Sequence, residues 1–257
     1  MLKDIRKVLP EYDYLYLGDN ARAPYGPRSF DVIYEYTWQA VQYLFSQGCT
    51  LVIVACNTAS AKALRTIQQK NLPLVAPEKR VLGVIRPSTE LLSGISQSGH
   101  VGILATEGTV KSESYVIELQ KFSPDLTVHQ HSCPMWVPLI ENGEHSSPGG
   151  IFFLQQDLLR LLEKDTRIDT ILLGCTHYPI LVDTLKSILP EHIRVVSQGP
   201  LVADSLKDYL GRHSEIEEQC SKSGSVRYLT TENAQNFSEN ASRFMGEAIE
   251  AGHVHLS

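Results

Sequence analysis

Leu51-Val52-Ile53-Val54-Ala55-Cys56-Asn57-Thr58-Ala59 and Thr170-Ile171-Leu172-Leu173-Gly174-Cys175-Thr176-His177-Tyr178-Pro179 read as two versions of one pattern. In each, an apolar run suited to a buried parallel strand ends at a small residue and then a cysteine. Helix-start signals follow at once: Asn57-Thr58 before an Ala/Leu-rich run, and Thr176 before Pro179. Each cysteine is therefore expected at the carboxyl end of a strand and beside a helix N-terminus. Ligands of α/β proteins bind there, and backbone N–H groups there favour an anion.

That placement has chemical meaning. A free thiol has a pKa near ~8.5, and a helix N-terminus lowers it toward a usable thiolate. Two such groups facing one pocket can remove a proton from one side of a carbon and return one from the other, inverting a stereocentre. A single strand-end cysteine reads equally well as a small apolar filler. The second copy of the pattern tips the reading toward function.

Bulk properties narrow the classes. The 257 residues suit two domains of ordinary size, with 42% hydrophobic and 20% charged residues and a net charge of −6. No basic run or stripe points to a nucleic-acid partner. No apolar stretch reaches the length of a membrane span, and the first residues carry no signal-peptide core. The five cysteines, Cys49, Cys56, Cys133, Cys175 and Cys220, are scattered and form no CxxC pair. This suits a reducing cytoplasm rather than a disulfide framework or a structural zinc centre. No Gly-rich phosphate loop of the GxGxxG or GxxxxGKS kind is present, so no nucleotide is invoked.

Strand and helix signals alternate along the rest of the chain. Leu2 to Leu9 carries a helical apolar stripe stopped by Pro10, and Tyr12 to Leu17 reads as a strand. A Pro/Gly loop from Ala21 to Pro27 follows, then a helix capped by Ser29 and closed by Gly48. A helix is expected from Ala59 to Lys70 and a strand from Val81 to Ile85, with Arg86-Pro87-Ser88 as a break. Further strands are expected at 100–106, 126–131, 193–196 and 226–229. Helices are expected at 113–122, 151–163, 181–189, 202–210 and 234–249. Residues 133–143 read as an irregular apolar loop and 211–224 as an exposed connection. At Glu107 to Val110, hydroxyls and free N–H groups would again face a strand's carboxyl end. The class is α/β, with two similar lobes of parallel sheet flanked by helices and the site in the cleft between them.

Four groups of residues, in order, carry a family resemblance. They are Gly18-Asp19 with Ala23-Pro24-Tyr25-Gly26; Ala55-Cys56-Asn57-Thr58-Ala59; Cys133-Pro134 with Val137-Pro138-Leu139-Ile140-Glu141; and Gly174-Cys175-Thr176-His177-Tyr178-Pro179. Together they resemble the glutamate racemases of the aspartate/glutamate racemase superfamily, with His177 in place of the acidic residue usual in the aspartate branch. The resemblance implies a cofactor-independent, two-base racemase that interconverts L- and D-glutamate for peptidoglycan synthesis in the cytoplasm. It implies Cys56 and Cys175 as the two bases, His177 as the group that poises Cys175, and Glu141 as the supporting carboxylate. It implies Tyr25, Gly26, Asn57, Thr58, Thr176 and His177 as ligands of the amino acid. It also implies a homodimer, with residues 1–85 and 199–257 forming one lobe and 86–198 the other.

The family pattern opens with a strand and an Asp-Ser-Gly-x-Gly-Gly turn, and this sequence begins partway along the helix after it. The expectation is thus a shortened chain, without the strand beside Cys56 and without that cysteine's partner acid. Two further readings stay open at the level of sequence. One is an aspartate or related amino-acid racemase, and the other is a racemase-like protein that binds an amino acid or a protein without turnover.

Overall fold

The computed structural model describes residues 1–256. Nine strands run in chain order: β1 Tyr14–Gly18, β2 Leu51–Val54, β3 Arg80–Gly83, β4 His100–Ala105, β5 Thr127–Ser132, β6 Thr170–Gly174, β7 Arg194–Ser197, β8 Val226–Thr230 and β9 Ala251–His253. They form a sheet of order β5-β4-β6-β7, a sheet β1-β8-β9 and a pair β2-β3, with every pairing parallel. The architecture is the expected α/β arrangement, with helices between successive parallel strands.

The four-stranded sheet is the better buried. Every residue of β6 is buried, as a central strand covered on both faces requires. Leu104, Ile171, Leu173 and Cys175 pack with Trp136, Leu154, Leu158 and Tyr178 on one face. Ile103, Ala105 and Leu172 pack on the other face with Ile85, Tyr115 and Leu119. The period-2 alternation of β4 and β6 thus feeds two separate cores.

The other two sheets are narrower. Helix Phe30–Ser46 touches both β1 and β2, and Tyr14, Leu51, Ile53 and Leu82 share one apolar cluster with helices Leu2–Val8 and Gln198–Arg212. The two sheets therefore lie in one layer, yet β1 pairs only with β8 and β2 only with β3 among the described residues. Ser29 caps the helix by accepting from the Val32 amide, and Gly48, at φ +92°, takes the left-handed turn beyond it.

Several local expectations are corrected. Arg86-Pro87-Ser88 does not break the chain but lies inside helix Ile85–Leu92. Pro87 is in its first turn, where a missing amide costs no hydrogen bond. The apolar loop at 133–143 holds helix Trp136–Glu141, and the connection at 211–224 holds helix Ser214–Glu217, fixed by buried Ile216. The helix after Ala59 is interrupted, as Asn57–Lys62, Leu64–Thr66, a π-turn at Ile67–Asn71 and Leu72–Val75. The final helix stops at Met245, where Gly246 adopts φ +75°, and the chain returns as β9. Thr176 caps no helix, since the turn after Cys175 is a 3₁₀ segment, Tyr178–Leu181, preceded by His177.

Candidate active site

The two cysteines occupy equivalent places on different sheets. Cys56 follows β2 and is the N-cap of helix Asn57–Lys62; Cys175 follows β6 directly. Ser60 fixes the first turn by donating to the Val54 carbonyl at 2.8 Å. Both thiols are free. They lie near enough that negative charge on Cys175 helps to raise the pKa of Cys56.

Their surroundings differ. Cys175 Sγ lies 3.8 Å from His177 Nδ1, and His177 Nε2 lies 3.2 Å from Glu141 Oε1. Helix Trp136–Glu141 carries the carboxylate there, because buried Trp136 packs on Tyr178 with ring centroids 4.8 Å apart. The Tyr178 hydroxyl then donates to the Cys133 carbonyl at 3.2 Å, pinning the start of that segment. Burial pulls the His177 imidazole down, but the Cys175 sulfur and Glu141 outweigh it and lift its pKa to about 10. Around neutrality this ring is an imidazolium beside the Cys175 sulfur.

Cys56 meets hydroxyl and amide groups instead. Burial pushes its thiol up to about 11, against the amides of Ala59 and Thr58 and the Thr58 hydroxyl, which favour the anion. Among the described residues, no carboxylate or imidazole hydrogen-bonds to it. The pair is asymmetric, with a thiol that keeps its proton on one side and a histidine-backed thiol on the other.

Hydroxyls cluster between the two sheets. Thr58 Oγ1 lies 2.9 Å from Thr106 Oγ1 and 3.4 Å from Thr109 Oγ1, and the last two are 3.1 Å apart. Thr106 follows β4 and caps helix Glu107–Lys111, so the hydroxyls expected near Glu107 to Val110 do stand at a strand's carboxyl end. The loop bearing Tyr25 and Gly26 covers this group. A Cβ on Gly26 would lie 3.3 Å from Thr106 Cβ, and one on Gly108 would lie 2.5 Å from the Gly26 carbonyl. Glycine at both positions permits that close approach. Tyr25 gives its hydroxyl to Asp19, which also accepts from Arg22 and Thr231. Burial first, and this carboxylate second, hold the phenol well above the ordinary tyrosine range.

Asn57 is buried, and its amide is already engaged. Nδ2 donates to Gln198 Oε1 at 2.6 Å, and Oδ1 accepts from the Tyr115 hydroxyl at 2.7 Å. Gln198 Nε2 donates to the Tyr115 hydroxyl at 2.7 Å and to Ser88 Oγ at 2.9 Å. The structure thus gathers Cys56, Thr58, Gly26 and the two extra threonines, and separately Cys175, His177 and Glu141. Half-buried Thr176 lies between Cys175 and His177 in sequence. Sequence reasoning missed Tyr115 and Gln198, which carry no motif and join the site only through the fold.

Known proteins resemble this chain in sequence and in fold. The sequence matches the Asp/Glu/Hydantoin racemase family over residues 1–206. A glutamate racemase from Ruegeria sp. strain TM1040 is 39% identical over 259 positions, spanning 97% of this chain and 93% of its own. The crystal structure of a glutamate racemase isoform from Bacillus anthracis superposes with a TM-score of 0.89 at 31% identity, covering 99% of this chain and 92% of that one. The glutamate racemase of Francisella tularensis, solved in complex with D-glutamate, gives 0.84 at 27% identity, covering 100% of this chain and 91% of that one. On the extent of the family match and on relatives aligned along nearly its whole length, this chain belongs to the Asp/Glu/hydantoin racemase family.

Proposed function

We propose that this protein is an isomerase that interconverts L- and D-glutamate by exchanging the Cα proton between two cysteines, supplying D-glutamate for peptidoglycan synthesis. The observation that carries the reading is the placement of Cys56 and Cys175 at the ends of strands from two different sheets, with the Thr58, Thr106 and Thr109 hydroxyls clustered beyond β2 and β4. Relatives across the family bear the name glutamate racemase, and one of them was solved holding D-glutamate.

The chemistry follows from the asymmetry. The Cys175 thiolate, paired with protonated His177, takes the Cα proton; the C–H bond breaks and its electrons spread into the substrate carboxylate. Donors near that carboxylate stabilise the developing charge, and the hydroxyls of Thr58, Thr106 and Thr109 and the amides after Cys56 are suited to that task. Cys56, still a thiol at neutral pH, then gives its proton to the opposite face. The reverse direction exchanges the two roles. Tyr25 and Gly26 lay the covering loop over the substrate, Thr176 and His177 line the Cys175 side, and Asn57 holds the turn after Cys56.

In the lobe division that we propose, residues 1–85 with 199–257 carry β1, β2, β3, β8 and β9, and 86–198 carry β4 to β7; the free thiols suit a cytoplasmic protein. The exposed Phe152, Phe153 and Leu159 of helix Pro148–Leu162 are candidates for a homodimer contact, which sedimentation at increasing concentration would test.

Circular dichroism of D-glutamate tests the function. The protein should erase the signal, and Cys56→Ala and Cys175→Ala should each abolish the change. Loss of signal with D-aspartate alone would make it an aspartate racemase. Binding of glutamate without turnover, or turnover that survives both substitutions, would overturn the two-cysteine reading.

A further inference from the structure

The amino-terminal edge of the four-stranded sheet, at the opposite end from Cys175, carries a cluster that the racemase chemistry does not use. His100 opens β4, His129 lies on β5 two residues beyond the partner of His100, and Asp165 follows helix Pro148–Leu162. Three segments remote in sequence thus converge, so no spacing motif could announce them. His100 Nδ1 lies 2.9 Å and His129 Nε2 3.1 Å from the same oxygen, Asp165 Oδ2. All three donor atoms lie within 4.8 Å of one another.

One detail sets the cluster apart from an ordinary hydrogen-bonded network. His100 Nδ1 is buried and makes no hydrogen bond, because its approach to Asp165 has the distance but not the direction of one. A buried ring nitrogen left unsatisfied in this way costs free energy unless something else engages it. The carboxylate is already oriented as a ligating carboxylate is: Oδ1 accepts from the Arg167 amide and from Arg167 Nε, each at 2.9 Å. Arg167 Nη2 also reaches Oδ2 at 2.9 Å, but that side chain is 67% exposed and can stay on Oδ1 alone. The imidazoles are 14% and 23% exposed, which leaves a route in from solvent.

We propose that His100, His129 and Asp165 bind a divalent transition-metal ion of the zinc type. Two imidazole nitrogens and one carboxylate oxygen are a usual ligand set for such an ion, with water completing a tetrahedron. The ion takes the place of the direct imidazole–carboxylate contacts and satisfies the stranded nitrogen. Its role is to staple β4, β5 and the end of helix Pro148–Leu162 together, far from the reacting thiols. A neighbouring group, His131, Cys133 and Asp157, also has metal-like spacing. There, His131 Nε2 and Asp157 Oδ1 hydrogen-bond at 2.9 Å, as His129 Nε2 and Asp165 Oδ2 do here, but no buried nitrogen or oxygen of that group is left without a partner as His100 Nδ1 is. It serves as the control.

The test is a titration of the intact, chelator-treated protein with cobalt(II), followed by visible absorption, and with zinc(II), followed by the melting temperature. One cobalt per chain is expected, with the visible bands of a four-coordinate nitrogen/oxygen site, no thiolate charge-transfer band, and a melting temperature raised by zinc. Loss of a direct ligand should weaken binding at least as much as loss of an outer-shell partner, about 10–100-fold, so His129→Ala and Asp165→Asn should show at least that, and His131→Ala no change. Circular dichroism confirms that the variants are folded. If the wild-type protein takes up no cobalt, if a thiolate band appears, or if His129→Ala binds as well as wild type, the site does not exist as proposed.

Discussion

His177 stands between a sulfur and a carboxylate, and its value to the reaction lies in that position. His177→Asn keeps a polar side chain but removes the positive charge beside the Cys175 sulfur. Turnover should fall within the roughly 10²–10⁴-fold range of a positioned acid–base group, with a smaller effect on KM. Glu141→Gln should cost less, and it should move the alkaline limb of the pH–rate profile downward by removing one of the groups that raises His177. A rate that the histidine change leaves untouched would remove His177 from the mechanism. Cys56 makes a separate prediction about stability. Its pKa is raised from 9.0 to about 11 in the folded protein, so the unfolded chain releases this proton first as pH rises. The contribution is complete below 9, declines from there, and is gone above about 11. Cys56→Ser should flatten that decline in urea unfolding curves; an unchanged slope would mean that the thiol is not shifted.

At the scale of single elements, the strands that end at Cys56 and Cys175 were legible because their signals are local, whereas the turn after Cys175 was not. An apolar run ending in a cysteine needs no partner to be recognised, and Ser29 caps its helix as its position in sequence suggests. Helix Trp136–Glu141 was not legible, since two prolines flank its start and its stability comes from Trp136 packing on Tyr178, a contact remote in sequence. Pro87 misled for a related reason, because a proline ends a helix or begins one according to which turn it occupies. The buried amide and phenol network was invisible too, because Tyr115 and Gln198 meet Asn57 only once both lobes have formed. Tyr115→Phe tests its weight. The change strands Asn57 Oδ1 in a buried setting while Gln198 Nε2 keeps Ser88 and the Val84 carbonyl. Stability should drop by about 1–3 kcal/mol in thermal or urea unfolding, and a neutral substitution would mean that water reaches the site.

Across the whole molecule, the α/β class and the alternation of elements followed from periodicity, while the way the strands divide into sheets did not. Nothing local says that β1 and β2 share a layer without sharing hydrogen bonds. That division should appear in amide hydrogen exchange. Protection should be greatest in β4 and β6, which are paired on both sides, and least in β2 and β9, which are paired on one. Uniform protection across all the sheets would contradict it. The Asn57–Tyr115–Gln198 bridge has a mechanical corollary. To swing the lobes apart, the molecule would have to break several buried hydrogen bonds at once, whereas the loop over Thr106 lies near the surface. Entry and exit of the amino acid are therefore expected to use that loop as a door while the walls stay fixed. The radius measured by X-ray scattering should then be the same with and without saturating glutamate, and a contraction on binding would show that the walls move.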